Sequence, residues 1–125
     1  IPNPKIVILD RRQRLKHSLQ SEYQLCRHPD TIYWHEDNLS ALLAKLVSEH
    51  QCYDVLVEAG PSVAGSFLSQ QLVDELIVHQ APCLLGEQAR PMVYFNPMSL
   101  AQQLRFNLRS HQQLGPDLKL TLLPL

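Results

Sequence analysis

The stretch Val55 to Leu68, VLVEAGPSVAGSFL, is where residue type and spacing could do chemistry. An apolar run ends in Glu58, a Gly-Pro turn follows, and a helical pattern begins. A helix that opens after a glycine turn presents amide hydrogens with no intrahelical partner, together with the positive end of its dipole. Both favour a phosphate. Pro61 suits the first helical position, because it has no amide hydrogen to leave unpaired. Gly60 admits close approach of a ligand to the backbone, and the reading expects a conformation or a closeness there that a Cβ would obstruct. Gly65 does the same one turn on, or lets the helix sit tight on its neighbour. The familiar phosphate motifs do not match. A Walker A loop running Gly60 to Gly65 needs Lys where Ser66 stands, and a dinucleotide fingerprint needs Gly where Ser62 stands. A plain strand-to-helix turn, with glycine for shape and Ser62 for hydrogen bonding, explains the same residues. Glu58 sharpens the functional reading. It ends a strand just before the turn, where α/β sheets bind ligands, and its carboxylate can accept hydrogen bonds from ligand amide or amino groups. A solvated glutamate at a strand end is the alternative.

The elements that must position these residues can be read from the pattern. Lys5–Leu9 and Thr31–His35 read as strands, with the basic loop Asp10–His17 after the first and the turn Pro29-Asp30 before the second. Leu39, Leu42, Leu43, Leu46 and Val47 define one face of a helix capped by Asn38 or Asp37 and ending near His50. Asp54–Glu58 reads as a strand, Pro61 to about Gln71 as a helix, and Asp74–Ala81 as a strand stopped by Pro82. Leu104–His111 and Asp117–Leu123 read as a closing hairpin around Gly115-Pro116. Strands that alternate with helices imply parallel crossovers, and the hairpin adds antiparallel strands.

The 125 residues, 45% hydrophobic and 18% charged, suit one domain with a real core over 1–125. A formal net charge of −1 gives no basic field, so no nucleic-acid partner is implied. No apolar run approaches the ~20 residues of a membrane-spanning helix. Cys26, Cys52 and Cys83 are odd in number and lack CxxC spacing, which suits a reducing compartment; Cys83 reads as a buried apolar filler. The six histidines form no HExxH pair, and no metal site is expected. Ile1 stands first, without a signal segment after it, and the expectation is a piece of a longer chain.

The run VLVEAGPSVAGSFLSQQLVDELIVHQAPCLLG resembles the cofactor-binding core of the reductase domain in the bifunctional riboflavin-biosynthesis deaminase/reductase family. The opening IVILD with a following Arg14, and the closing GPDLKLTL, resemble that family's ends. The resemblance implies a dihydrofolate-reductase-like α/β fold, a mixed sheet with flanking helices and a C-terminal antiparallel hairpin, lacking its N-terminal part. It implies a cytoplasmic, homodimeric oxidoreductase. NADPH would reduce the ribosyl sugar of 5-amino-6-(5-phosphoribosylamino)uracil to a ribityl chain. Glu58 would contact the pyrimidine, and Gly60, Pro61, Ser62, Val63, Ala64, Gly65 and Ser66 would wrap the cofactor's phosphates. The family has Ser or Thr after the aspartate of its opening strand. Here Arg11 follows Asp10, and it either pairs with a cofactor phosphate or belongs to a solvated basic loop with Arg12, Arg14 and Lys16. Nothing of the zinc deaminase pattern is present, since there is no H-x-E and Pro82-Cys83 lacks the second cysteine of PCxxC. A non-catalytic nucleotide-binding or assembly module of the same fold is the competing reading. A related enzyme with another substrate is a third, and Glu58 in VEAGP speaks against it.

Overall fold

Two short parallel strands open the first of two compact units, residues 1–54 and 55–125. The structure, a computed structural model, describes residues 4–15, 28, 30–97 and 99–125. Cys26, Lys16, His17 and Pro29 lie outside the described residues. In the first unit β1 (Ile6–Leu9) pairs with β2 (Thr31–Trp34), with Ile6 opposite Thr31 and Leu9 opposite Trp34. The Asp10 N–H continues the ladder to the Trp34 carbonyl at 2.9 Å. The helix α1 (Leu39–His50) follows. Of the two candidate caps it is Asn38 that serves, its side-chain oxygen accepting from the Ala41 N–H at 2.9 Å. Leu39, Leu42 and Leu46 are buried, while Val47, at the margin of the same face, is half exposed. The helix ends on Gln51, in the left-handed region at φ 54°.

The second unit opens on a segment without regular structure, then α2 (Pro61–Ser69), β3 (Leu76–Gln80), a 3-10 turn (Leu100–Gln102), β4 (Phe106–Leu114) and β5 (Asp117–Pro124). The three strands form an antiparallel sheet in the order β3-β5-β4. Leu114 faces Asp117, which leaves Gly115-Pro116 as a two-residue hairpin turn. Gly115 takes φ 59°, as a II′ turn requires of its first central residue. β4 runs three residues beyond the expected His111, because Gln112 and Gln113 pair with Lys119 and Leu118 across the hairpin. Polar side chains are no obstacle on an edge strand. The register shifts between Leu108 and Ser110, and Arg109 at that bulge reaches Glu75 at 3.2 Å.

Two expectations are corrected here. Asp54–Glu58 forms no strand among the described residues, since strand identity requires a ladder partner and this segment has none. Val55, Leu56 and Val57 are therefore exposed to 45%, 78% and 39%. Cys83 is exposed rather than a buried filler, because the segment after Pro82 leaves the sheet as an irregular loop. The mixed α/β class, with parallel and antiparallel pairing and a closing hairpin, is the one expected from the residues.

Candidate functional site

The turn into α2 is built around a helix start that has no side-chain cap hydrogen bond among the described residues. Gly60 is the N-cap, at φ −69° and ψ 173°, and has no side chain to offer. Its carbonyl accepts the Ala64 N–H at 3.1 Å. Pro61 has no N–H, so the amides of Ser62 and Val63 are the first-turn donors that no helical carbonyl can reach. Two amides and a helix dipole at one exposed point attract an anion, an effect worth about 0.3–1 kcal/mol in the open and more when partly buried. Glu58, exposed, precedes this point by two residues.

The structure separates the cradle residues into two groups. Gly60 and Ser62 are exposed at the turn, and Pro61, Val63 and Ala64 are half-buried. The φ of Gly60 is open to any residue and a Cβ there would meet nothing within 4 Å. The expected backbone requirement at Gly60 is thus absent; the turn is extended backbone that Pro61 continues without strain. Ser66 donates its hydroxyl to the Ser62 carbonyl at 3.0 Å, so it is engaged within the helix. Gly65 is buried, and it is the glycine with no room. A Cβ there would collide with the Tyr94 carbonyl oxygen and stand 2.9 Å from the Tyr94 carbonyl carbon. Glycine inside a helix costs about 0.5–1 kcal/mol relative to alanine, a cost that this close approach explains. The neighbour proves to be the loop at Tyr94, whose N–H donates to the Pro61 carbonyl at 3.0 Å. Sequence reading missed Tyr94. Nothing in MVYFNP marks it, and only the unexplained helical glycine pointed to some close partner.

Arg11 belongs to the first unit. Its Nε lies 3.1 Å from the Asp37 carboxylate, with both side chains largely exposed, so the pair is worth at most about 1 kcal/mol. Its neighbour Asp10 is buried. The Asp10 carboxylate accepts the Leu15 N–H at 2.9 Å and the Arg14 N–H at 3.0 Å, closing the loop 10–15. These bonds, that from Leu15 foremost, hold its pKa below the ordinary aspartate value against the opposing effect of burial; the His35 and Arg14 charges add to the lowering. The Asp10 carbonyl accepts from His35 Nδ1 at 2.7 Å, which places the ring proton on that nitrogen.

The family pattern described as "RibD C-terminal domain" matches residues 2–120. The chain belongs to the RibD C-terminal domain family. It is 38% identical over 81 residues to "Riboflavin biosynthesis protein RibD" of Buchnera aphidicola subsp. Baizongia pistaciae, an alignment covering 64% of this chain and 22% of that protein. It is 34% identical over 88 residues to "5-amino-6-(5-phosphoribosylamino)uracil reductase" of Buchnera aphidicola subsp. Acyrthosiphon pisum, covering 70% and 42%. Among solved structures, "Acinetobacter baumannii RibD, form 2" superposes with a TM-score of 0.84 at 37% identity, over 100% of this chain and 39% of that one. The chain thus spans less than half the length of these relatives. As a RibD C-terminal domain it has the dihydrofolate-reductase-like α/β fold that the resemblance implied, and the α2 turn lies within the matched region.

Proposed function

We infer that this chain is the part of an NADPH-dependent pyrimidine reductase that holds the cofactor's phosphates and reads the pyrimidine. The reaction is reduction of 5-amino-6-(5-phosphoribosylamino)uracil, in which a hydride and a proton convert the ribosyl sugar to an open ribityl chain. A relative of this chain bears that reductase's name. The observation that carries the reading is the uncapped start of α2, with the Ser62 and Val63 amides at an exposed turn and open space at Gly60. A phosphate fits there, since it satisfies both amides and meets the helix dipole. NADPH, when bound, supplies the hydride. The chain's own part is orientation. The turn fixes one end of the cofactor, and Glu58 accepts hydrogen bonds from the pyrimidine's amide and amino groups. Arg11, the further candidate for a cofactor phosphate, forms an exposed pair with Asp37 in the first unit.

Two variants of the intact protein test it together. Gly60→Val weakens NADPH binding while leaving the fold intact, because a side chain is sterically free in the apo turn but fills the space of the phosphate. Glu58→Gln replaces an acceptor with a donor and lowers kcat/KM for the pyrimidine by roughly tenfold to a hundredfold, the equivalent of about 1.5–3 kcal/mol, with little change in NADPH affinity. Unchanged NADPH affinity in Gly60→Val would overturn the phosphate reading. An equal loss of cofactor affinity in Glu58→Gln would make Glu58 a support of the turn rather than a reader of substrate.

A further inference from the structure

We propose that the loop around Tyr94 is a strap that fixes the first turn of α2, and that Gly65 is glycine to let the strap close. The proposal rests on the reading of that turn as the cofactor's phosphate site and adds a positioning device to it. Three observations carry it. The Tyr94 N–H donates to the carbonyl of Pro61, the first residue of the helix, at 3.0 Å. The Tyr94 peptide lies on Gly65, one turn later, so closely that no Cβ could stand between them. Gly65 is buried, and Gly60, Gly86 and Gly115 all have open space where their Cβ would be. One peptide, 29 residues downstream of Gly65, therefore grips the helix at two successive turns on one side.

The consequence follows from what the turn must do. The Ser62 and Val63 amides bind an anion well only if their directions are fixed beforehand, and the end of a helix is where fraying is greatest. Gly60 offers no side chain to hold it. The Tyr94–Pro61 bond supplies the hold from outside the helix. Tyr94 and Gly65 act through the turn, and they are positioning residues.

The test uses the intact protein, with NADPH affinity read by fluorescence titration and the exchange of the Tyr94 amide hydrogen read without ligand. Gly65→Ala pushes a methyl group into the Tyr94 carbonyl and lifts the strap. Tyr94→Pro removes the N–H donor together with the phenol and fixes φ, so Tyr94→Ala, which keeps the N–H and loses the same side chain, is its control; the pair decides the matter if Gly65→Ala does not fold. Gly65→Ala and Tyr94→Pro raise the NADPH dissociation constant by about tenfold, since a misplacement near 1 Å can cost as much as a hundredfold. Gly65→Ala also speeds exchange at Tyr94. The KM for NADPH rises while the KM for the pyrimidine stays within about twofold; mere loosening of the domain would raise both. The strap is overturned if NADPH affinity in these variants stays within about twofold of the parent while Gly60→Val loses it. If Gly60→Val also keeps its affinity, the phosphate reading itself falls and the strap has nothing to position.

Discussion

Asp10 shows how one carboxylate can close a loop. Both of its oxygens accept amide hydrogens, from Leu15 and Arg14, and its own carbonyl accepts from His35. The Leu15 bond leads the lowering of its pKa, and burial works against it. A lowered folded-state pKa means that the unfolded chain binds the proton more readily. The contribution of Asp10 to stability is therefore complete above the unfolded pKa and disappears as pH falls through the folded one. In an acid titration followed by NMR, the Arg14 and Leu15 amide shifts move together with the Asp10 carboxylate, at a pH below that of a free aspartate. Asp10→Asn keeps one acceptor oxygen, loses the charge and flattens the acid limb of the stability profile. An unchanged acid limb would mean that the loop closes for reasons other than this carboxylate. The family's Ser or Thr position is Arg11 here, next in sequence to this buried charge, yet its guanidinium turns outward to Asp37. Burial at one residue therefore says little about the next.

At the scale of elements, both helices are followed by a glutamine in the left-handed region, where glycine is the usual choice. Gln51 follows α1 at φ 54°, and Gln71 follows α2 at φ 57°. After α2, the Leu72 N–H bonds the Phe67 carbonyl and the Gln71 N–H that of Leu68, both at 3.0 Å, the pairing of a Schellman motif. A residue with a Cβ costs about 1–2 kcal/mol in this conformation. Gln51→Gly, which keeps the cap, raises stability by about 1 kcal/mol less the entropy glycine loses from the unfolded chain, seen as a higher urea midpoint with an unchanged slope. A lower midpoint would show that the Gln51 side chain holds the cap by contacts of its own. These ends also mark what the residues made legible. The Leu39–Val47 stripe, the Pro61 start and the Gly115-Pro116 turn each encode geometry locally, so the helices and hairpin fall where the pattern puts them. Asp54–Glu58 reads as a strand because its composition is that of one, but pairing is a property of the neighbour. The same distinction divides the candidate site. The exposed turn at Gly60–Ser62 could be read from residue types, whereas the hold of Tyr94 on α2 arises between segments 29 residues apart and leaves no local signature.

For the molecule as a whole, the balance between apolar exposure and charge decides its behaviour in solution. Leu56, Leu84, Leu85 and Leu100 are exposed to 78%, 100%, 79% and 84%. Exposed leucines are ordinary when scattered, but Leu56 lies in a segment with no ladder partner among the described residues. Val55–Glu58 has no ladder partner among the described residues, and β3 lies at the edge of its sheet with Ile77 42% exposed. The opposite edge, β4, carries Asn107, Arg109, His111 and Gln113, the polar dress that keeps edge strands apart. β3 carries His79 and Gln80 only at its end and leaves Ile77 exposed, and the 55–58 segment has Glu58 alone. Repulsion does not compensate, since the formal net charge is −1 and the isoelectric point is near 6.6. This 125-residue chain is therefore expected to self-associate through its second unit, most strongly near pH 6.6. Light scattering across protein concentration and pH reads it directly. Leu56→Lys combined with Ile77→Lys places a charge on the 55–58 segment and on β3 and shifts the distribution toward monomer, as edge lysines do in natural sheets. A parent chain that stays monomeric at its isoelectric point would show that these segments are protected despite their exposure. Association that persists unchanged in the double variant would place the contact elsewhere, with Leu84 and Leu85 the next residues to charge.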